Sequence, residues 1–448
     1  MKSHMNRRSF ISSTAAVTAF TALGGIFAHG AAREGSMVGF RAAPIERVRA
    51  GFIGTGNRGM AAIARWLTLE GVQPAALCDV RPEKVAAAQR LLAAKNIPPA
   101  KEFTRGPDDW KRLCETMDLD LVYICTPWNL HAPLCVHAMR CGKHVATEVP
   151  AAITLQECWD LVKTAEHTRK HCMMLENCCY GETELMLLNM CRQGLLGELV
   201  HGDTCYIHDI RDLKFTQGDQ GNPWRLQIAQ KLNGNLYPTH GLGPMARYMS
   251  INRGDRFEYL TSMSSAQRGL TLYARKRHGA DSSQARAHYR MGDMNTTIIR
   301  TARGRTISIQ YDTTSPRPPT RLNTVVGTNG TYTDPPARLA LEPNGTRWIE
   351  GQELADYRSK YQHPLWIAFG EAARKAGGHG GMDQLMEWRL VRALQQGLPL
   401  DQDVYDAATW SCIVPLSCKS VAKNGDSIEV PDFTRGMWRS HPRQDLEI

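Results

Sequence analysis

The run Gly54-Thr55-Gly56-Asn57-Arg58-Gly59 sets three glycines at the spacing G-x-G-x-x-G, and the chemistry of that spacing is phosphate binding. Gly54 permits a tight turn, Gly56 lets the backbone approach a pyrophosphate, and Gly59 lets a helix pack closely on its strand. Free N–H groups at the start of that helix attract the phosphates. Asp79 stands 20 residues beyond Gly59, where an acid bonds both ribose hydroxyls and repels a 2′-phosphate, which selects NAD over NADP. Arg81, two residues further on, is a cation able to accept a phosphate and so opposes that preference.

These residues need a sheet edge to hold them. Arg47–Ile53 predicts a strand entering the glycine run, Met60–Leu67 the helix leaving it, and Val72–Cys78 the strand that ends at Asp79. Asp120–Thr126, rich in branched and apolar residues, predicts a further strand emptying into Pro127-Trp128-Asn129-Leu130-His131. His144–Thr147 delivers Glu148 to the same edge, and Cys172–Leu175 ends at Glu176 and Asn177. Between them, Thr154-Leu155-Gln156-Glu157 is a capping box that opens a helix. Three strand ends thus converge on one rim, in a Rossmann domain placed over residues 45–170.

From about Cys191 the pattern shifts to alternating strands such as Thr306–Tyr311, with a turn at Arg303-Gly304. This predicts an α/β fold: the Rossmann domain, then a C-terminal α/β domain over residues 171–448 with a large open, mostly antiparallel sheet. One exposed sheet face favours a homo-oligomer. Gly377-Gly378-His379-Gly380-Gly381 reads as a flexible active-site loop, with no carboxylate or cysteine at ligand spacing and no metal site expected. Asp403–Ala422 reads as one helix stopped by Asn424-Gly425, and Ile428–Phe433 as a closing strand or tail.

A chain of 448 residues exceeds what one core organises, and 42% hydrophobic with 22% charged residues describes an ordered globular protein. The net charge of +10 comes from scattered Lys and Arg interleaved with acids, with no basic run, so nucleic acid is not an expected partner. The 13 cysteines include no CxxC pair and read as buried small hydrophobes. Asn6-Arg7-Arg8-Ser9-Phe10-Ile11 before the apolar stretch Ala15–Ala28 reads as a twin-arginine export signal over residues 1–32, implying a periplasmic protein, cleaved or anchored by its leader.

The run Thr126-Pro127 to His131, followed by Gly142-Lys143-His144-Val145, Glu148 and Pro150, resembles the glucose-fructose oxidoreductase and inositol dehydrogenase family (Gfo/Idh/MocA). Dehydrogenases of that family usually carry Glu-Lys-Pro, whose lysine helps take a proton from a sugar hydroxyl. This chain has Glu148-Val149-Pro150, and a valine cannot do that job. With Leu175-Glu176-Asn177-Cys178-Cys179-Tyr180, Gly197-Glu198-Leu199-Val200-His201-Gly202, Leu236-Tyr237-Pro238-Thr239-His240-Gly241, Gly378-His379-Gly380-Gly381-Met382-Asp383 and Asp403-Val404-Tyr405-Asp406, the sequence is similar to glycoside hydrolase family 109.

That resemblance implies a retaining glycosidase, typically acting on α-linked N-acetylgalactosamine, that uses tightly bound NAD without net redox change. Hydride leaves C3 of the sugar for NAD, the ketone acidifies the C2 hydrogen, and the C1 oxygen departs. Water then adds at C1, and the ketone is reduced by the same cofactor. The resemblance also implies that NAD contacts Asn57, Arg58, Asp79, Trp128, Asn129, Leu130, His131, Glu148, Val149 and Asn177, beside the glycines, and that the sugar contacts Tyr206, Arg225, Tyr237, Pro238, Thr239 and His240. His240 and Tyr180 are the candidates for proton transfer, as an imidazole and a phenol. At Arg317-Pro318-Pro319 the family tends to place an aromatic facing the sugar, so Pro319 leaves the sugar, its N-acetyl group and the linkage open. Two other readings stand beside this one: a periplasmic NAD-dependent sugar dehydrogenase with His240 as its base, and a non-enzymatic sugar-binding protein.

Overall fold

The computed structural model describes residues 35–218, 221–443 and 446, so the leader expected over residues 1–32 lies outside the described residues. Residues 35–448 form one compact unit that contains two sheets. Among the described residues no helix is long and apolar enough to cross a membrane.

The first sheet comes from strands β1 (Val48–Ile53), β2 (Val72–Cys78), β3 (Lys101–Phe103), β4 (Leu121–Ile124), β5 (His144–Thr147) and β6 (Cys172–Met174). They pair in the order β3-β2-β1-β4-β5-β6, all parallel. Helices α1 (Asn57–Trp66), α2 (Pro82–Ala94), α3 (Asp109–Thr116), α4 (Trp128–Arg140) and α5 (Leu155–Thr168) make the crossovers. The strand order reverses between β1 and β4, and in such sheets the ligand lies in the crevice outside that point. Fully buried runs such as Leu121–Ile124 explain why these strands read as continuous apolar segments. The capping box at Thr154 and Glu157 forms as expected and starts α5. The sheet extends past the boundary placed at residue 170, because β6 pairs with β5.

The rest of the chain supplies α6 (Glu182–Arg192), β7 (Leu199–Ile207), α7 (Arg211–Phe215), α8 (Pro223–Lys231), α9 (Thr239–Tyr248), β8 (Phe257–Ser264), α10 (Gly269–His278), α11 (Ser283–Arg286), β9 (Met294–Thr301), β10 (Thr306–Asp312), β11 (Thr324–Gly327), β12 (Gly330–Thr333) and β13 (Arg338–Leu341). It closes with α12 (Gly351–Tyr361), α13 (Pro364–Ala376), α14 (Met382–Gln396), α15 (Val404–Ser411), α16 (Ile413–Val421) and β14 (Ile428–Glu429). The second sheet runs β13-β12-β11-β7-β10-β9-β8-β14, antiparallel except for the β7/β10 pair. Its strands alternate as a half-covered sheet should: Leu260 and Ile299 are buried while Tyr259, Met263 and Ile298 are exposed.

The single helix expected over Asp403–Ala422 is two, α15 and α16, meeting at Cys412. Pro415 has no N–H to bond the carbonyl of Ser411 and its ring crowds that carbonyl, which favours a break in the helix there. Both α14 and α15 pack back toward the first sheet: Tyr123 of β4 donates to Glu387 of α14, and Ser411 of α15 accepts from the Ala151 N–H.

Candidate active site

The glycine loop has the shape of a phosphate cradle. Gly54 adopts φ +87°, and a Cβ there would lie 2.6 Å from the Cys125 carbonyl oxygen. At Gly59 a Cβ would fall 1.9 Å from the Gly54 oxygen, so α1 approaches its strand at a distance only glycine allows. At Gly56 the nearest atom would be the Arg81 guanidinium at 3.6 Å, and otherwise the space is open. Gly56 caps α1 without a side-chain acceptor, and the first turn carries no acid, which leaves the helix start suited to an anion. Asp79 closes one side, its carboxylate accepting the N–H groups of Thr55 at 2.9 Å and Arg81 at 3.0 Å. A dinucleotide fits these residues: Gly56 would face its pyrophosphate and Asp79 would hold a ribose.

Trp128 opens α4 at the switch point, buried, while Asn129 and Leu130 in the same turn are exposed. The His131 imidazole is buried, with Nδ1 2.7 Å from the Pro150 oxygen and Nε2 2.7 Å from the Thr126 oxygen. It ties α4 to its neighbours, and both ring nitrogens are taken up by those carbonyls. Val149 is buried as well.

Arg58, Glu148 and Asn177 meet in one polar knot whose centre sequence reading missed. The Arg58 guanidinium reaches Glu148 at 2.7 Å and Asp383 of α14 at 2.7 Å. Asn177 donates to the other Asp383 oxygen, and His379 Nδ1 lies 2.9 Å from Asp383. Burial pushes the Asp383 carboxyl up, but His379 and Arg58 outweigh it and hold the group well below the usual carboxylate range. The glycine run at 377–381 is therefore anchored, and the expectation that His379 lacks a carboxylate partner is corrected: Asp383, four residues on, supplies it.

The candidate expected to transfer protons, His240, lies across the rim. His240, in the first turn of α9, sets Nδ1 2.7 Å from Glu176 Oε1. Glu176 follows β6, is fully buried, and also accepts the Cys178 N–H at 3.0 Å. Burial favours the neutral acid there, yet the charge and hydrogen bond of His240 keep Glu176 below its ordinary value. An ionised carboxylate only accepts, so Nδ1 carries a proton in either charge state, and in the neutral ring Nε2 is the nitrogen open to a further proton. The donor atoms of Glu176, Cys178 and His240 lie within 4.8 Å of one another. Glu176 Oε1 is bonded to His240, and burial pushes the Cys178 thiol pKa well up.

Around His240 the expected sugar contacts assemble into one aromatic wall. The rings of Tyr206 and Tyr237 stand 5.7 Å and 4.9 Å from its own. Trp128 stacks on Tyr237 at 5.2 Å, and the Arg225 guanidinium lies 4.7 Å over Trp128, 4.6 Å over Trp224 and 5.2 Å over Tyr237. Pro238 and Thr239 are buried beneath it and fix the start of α9.

Tyr180, expected as the second proton-transfer group, is a correction. Its ring is fully buried, its hydroxyl donates to Asp401 at 3.0 Å, and Asp401 in turn accepts Arg389 at 2.7 and 2.8 Å. A phenol with no exposed surface and a committed proton braces the core and cannot reach a sugar. A cavity of about 480 Å³ opens beside His240 and Asn177, lined further by Glu184, Arg321, Asn323 and Asp334.

Residues 48–176 match the family described as Oxidoreductase family, NAD-binding Rossmann fold. Residues 180–440 match Glycosyl hydrolase 109, C-terminal domain. The chain is 48% identical over 407 residues to the Alpha-N-acetylgalactosaminidase of Bacteroides fragilis, covering 90% of this chain and 96% of that one. It is 45% identical over 451 residues to a Glycosyl hydrolase family 109 protein of Shewanella amazonensis, covering 97% and 98%. Among solved structures, levoglucosan dehydrogenase in complex with NADH and levoglucosan shares the fold with a TM-score of 0.66 at 19% identity, over 86% of this chain and 100% of that one. An oxidoreductase domain protein from Kribbella flavida gives a TM-score of 0.67 at 18% identity, over 86% and 100%.

Proposed function

The chain belongs to glycosyl hydrolase family 109, and from that premise we propose that it releases terminal α-linked N-acetylgalactosamine from glycans, with retention and no net redox change. It is a glycoside hydrolase that uses NAD. The observation that carries the proposal is the His240–Glu176 pair, a basic Nε2 set against aromatic sugar-binding side chains on the same rim as the dinucleotide cradle.

Bound NAD supplies a reversible hydride acceptor for C3, which makes the neighbouring C2 hydrogen acidic. The protein's own work is proton transfer and orientation. His240 Nε2 takes the C2 proton as the C1–O bond breaks, and the departing oxygen takes a proton from solvent; water then adds at C1, giving a proton back to solvent, while the imidazolium returns a proton to C2. Glu176 holds the imidazole in the required tautomer and stabilises its charged form. Tyr237, Tyr206 and Arg225 present an aromatic, partly cationic wall against which a sugar is oriented. Val149, buried and apolar where a lysine would stand, removes the usual dehydrogenase base.

The test is an assay of purified protein without added cofactor on p-nitrophenyl N-acetyl-α-galactosaminide. Expected are p-nitrophenol release, NAD recovered on denaturation, no NADH accumulation, and deuterium at C2 of product formed in D2O. NADH formed from free sugars without glycoside cleavage would establish a dehydrogenase instead.

Two further properties belong to this reading. The Arg7-Arg8 pair and the apolar stretch after it support twin-arginine export to the periplasm, to be checked by fractionating cells that express the wild type or an Arg7→Lys, Arg8→Lys variant. The exposed sheet face with Met263 and Ile298 supports a homo-oligomer, to be checked by light scattering.

A further inference from the structure

Oxidation at C3 releases a proton as well as a hydride, because the hydroxyl oxygen must lose its hydrogen as C3 becomes a ketone. Val149 stands where a lysine would take that proton, so another group must. Most of the polar residues on the rim are committed. Glu148 is paired with Arg58 at 2.7 Å, Arg225 is a cation with nothing to accept a proton, and His240 is engaged with Glu176 and assigned to C2. Burial pushes the Tyr237 phenol well above its ordinary value.

Tyr206 is placed differently. It lies near the end of β7, and because side chains alternate along a strand, His208 two residues on shares its face. The Tyr206 hydroxyl is 3.5 Å from His208 Nδ1, with the two rings 6.0 Å apart. The His208 N–H donates to the Asp312 oxygen at 2.9 Å, which fixes the backbone there, and the imidazole is partly exposed while Tyr206 is buried. The Arg321 guanidinium lies 4.5 Å over the Tyr206 ring, where a cation steadies negative charge developing on the phenol. Burial, with Arg321, Arg225 and the His240 ring adding to it, holds His208 below the ordinary imidazole value against the pull of Asp209. A neutral imidazole is therefore within reach of the phenol as an acceptor.

We propose that Tyr206 and His208 form the proton relay for the C3 hydroxyl: the phenol oxygen takes the hydroxyl proton while its own proton passes to His208 Nδ1. The C3 hydrogen leaves with its electron pair for the nicotinamide in the same step. On re-reduction the hydride returns to C3, the His208 proton returns to Tyr206, and the phenol proton returns to the sugar oxygen, so nothing is left over. The inference rests on the glycosidase reading and adds to it a second acid–base pair, separate from the His240–Glu176 pair at C2.

The experiment compares methyl N-acetyl-α-galactosaminide with its 3-keto derivative, which enters after the oxidation, on the full chain carrying NAD. Methanol release is read after subtraction of the uncatalysed rate. Tyr206→Phe, which keeps the ring of the wall, is expected to slow the alcohol by about a hundredfold or more and the ketone far less, the scale of losing one general base. His208→Gln, which can still accept a hydrogen bond but cannot take up a proton, should show the same split at about tenfold or more. Thermal midpoints and NAD content show that both variants are folded and loaded. A readout without cofactor or substrate follows the His208 ring by NMR through a pH titration. A phenol donating to Nδ1 favours the neutral ring, so Tyr206→Phe should raise the pH at which His208 titrates. Equal losses on alcohol and ketone would overturn the relay by placing Tyr206 in sugar binding or elimination. Undiminished cleavage of the alcohol by Tyr206→Phe, or a His208 titration that does not move, would overturn it as well. A wild type that cleaves neither substrate would overturn the glycosidase reading and the relay together.

Discussion

Glu176 fixes which nitrogen of His240 is basic, so changing its charge while keeping its shape tests the chemistry directly. Glu176→Gln is expected to lower kcat by about a hundredfold to ten-thousandfold with little change in KM, because an amide can present an N–H to Nδ1 and favour the wrong tautomer. Tyr180→Phe gives the opposite outcome: activity within about twofold, and a loss of about 1 kcal/mol in stability from one buried hydrogen bond, read by denaturant unfolding. The sequence made His240 visible through its Tyr-Pro-Thr-His-Gly setting. Glu176 was visible only as the end of a strand, because its partner lies 64 residues away and no local pattern joins them. Asp383 was hidden for the same reason, since it meets Arg58 325 residues away in the chain. Tyr180 was misplaced because a sequence shows that a phenol is near a rim and not which way it faces.

At the level of elements, the turn between β1 and α1 separates packing from ligand binding. Gly59→Ala forces a Cβ against the Gly54 oxygen, and overpacking of this kind costs about 1–3 kcal/mol, so the thermal midpoint should fall together with NAD content. Gly56→Ala meets only the end of the flexible Arg81 side chain, so the midpoint of the NAD-free protein should hold while NAD recovered per chain drops. An equal fall in both midpoints would show that Gly56 too is a packing residue. The parallel strands were legible because burial on both faces writes an unbroken apolar run. β3 was not: two of its three residues, Lys101 and Glu102, are exposed, and the strand exists by pairing with β2. The break between α15 and α16 was available in Pro415 and was passed over.

For the molecule as a whole, buried neutral histidines set the acid limit. His144 and His171 pack with ring centroids 5.1 Å apart, and the His171 N–H donates to His144 Nδ1, a bond that protonation there would break. Burial lowers their pKa values to about 4 and about 3, with the nearby cation Lys170 and the paired imidazole adding to the effect. Both folded values lie below the unfolded value of about 6.5. Their contribution is therefore complete above pH 6.5 and is lost as pH falls toward 4, at up to about 1.4 kcal/mol per pH unit for each histidine. Unfolding free energy measured between pH 7 and pH 4 should show that slope, and His171→Phe should reduce it by the share of one histidine.

The fastening of Arg58 to Asp383 couples α1 to α14, hundreds of residues apart in the chain. A polypeptide emerging from its N-terminus completes the Rossmann strands long before α14 exists, and until then Arg58 lacks the carboxylate that holds it between Glu148 and Asn177. The dinucleotide seat is thus finished last, by a residue from another part of the chain. A chain cut short before residue 383 would have every glycine of the cradle and is expected to hold its cofactor poorly, so carriage of NAD would report that synthesis has passed the start of α14.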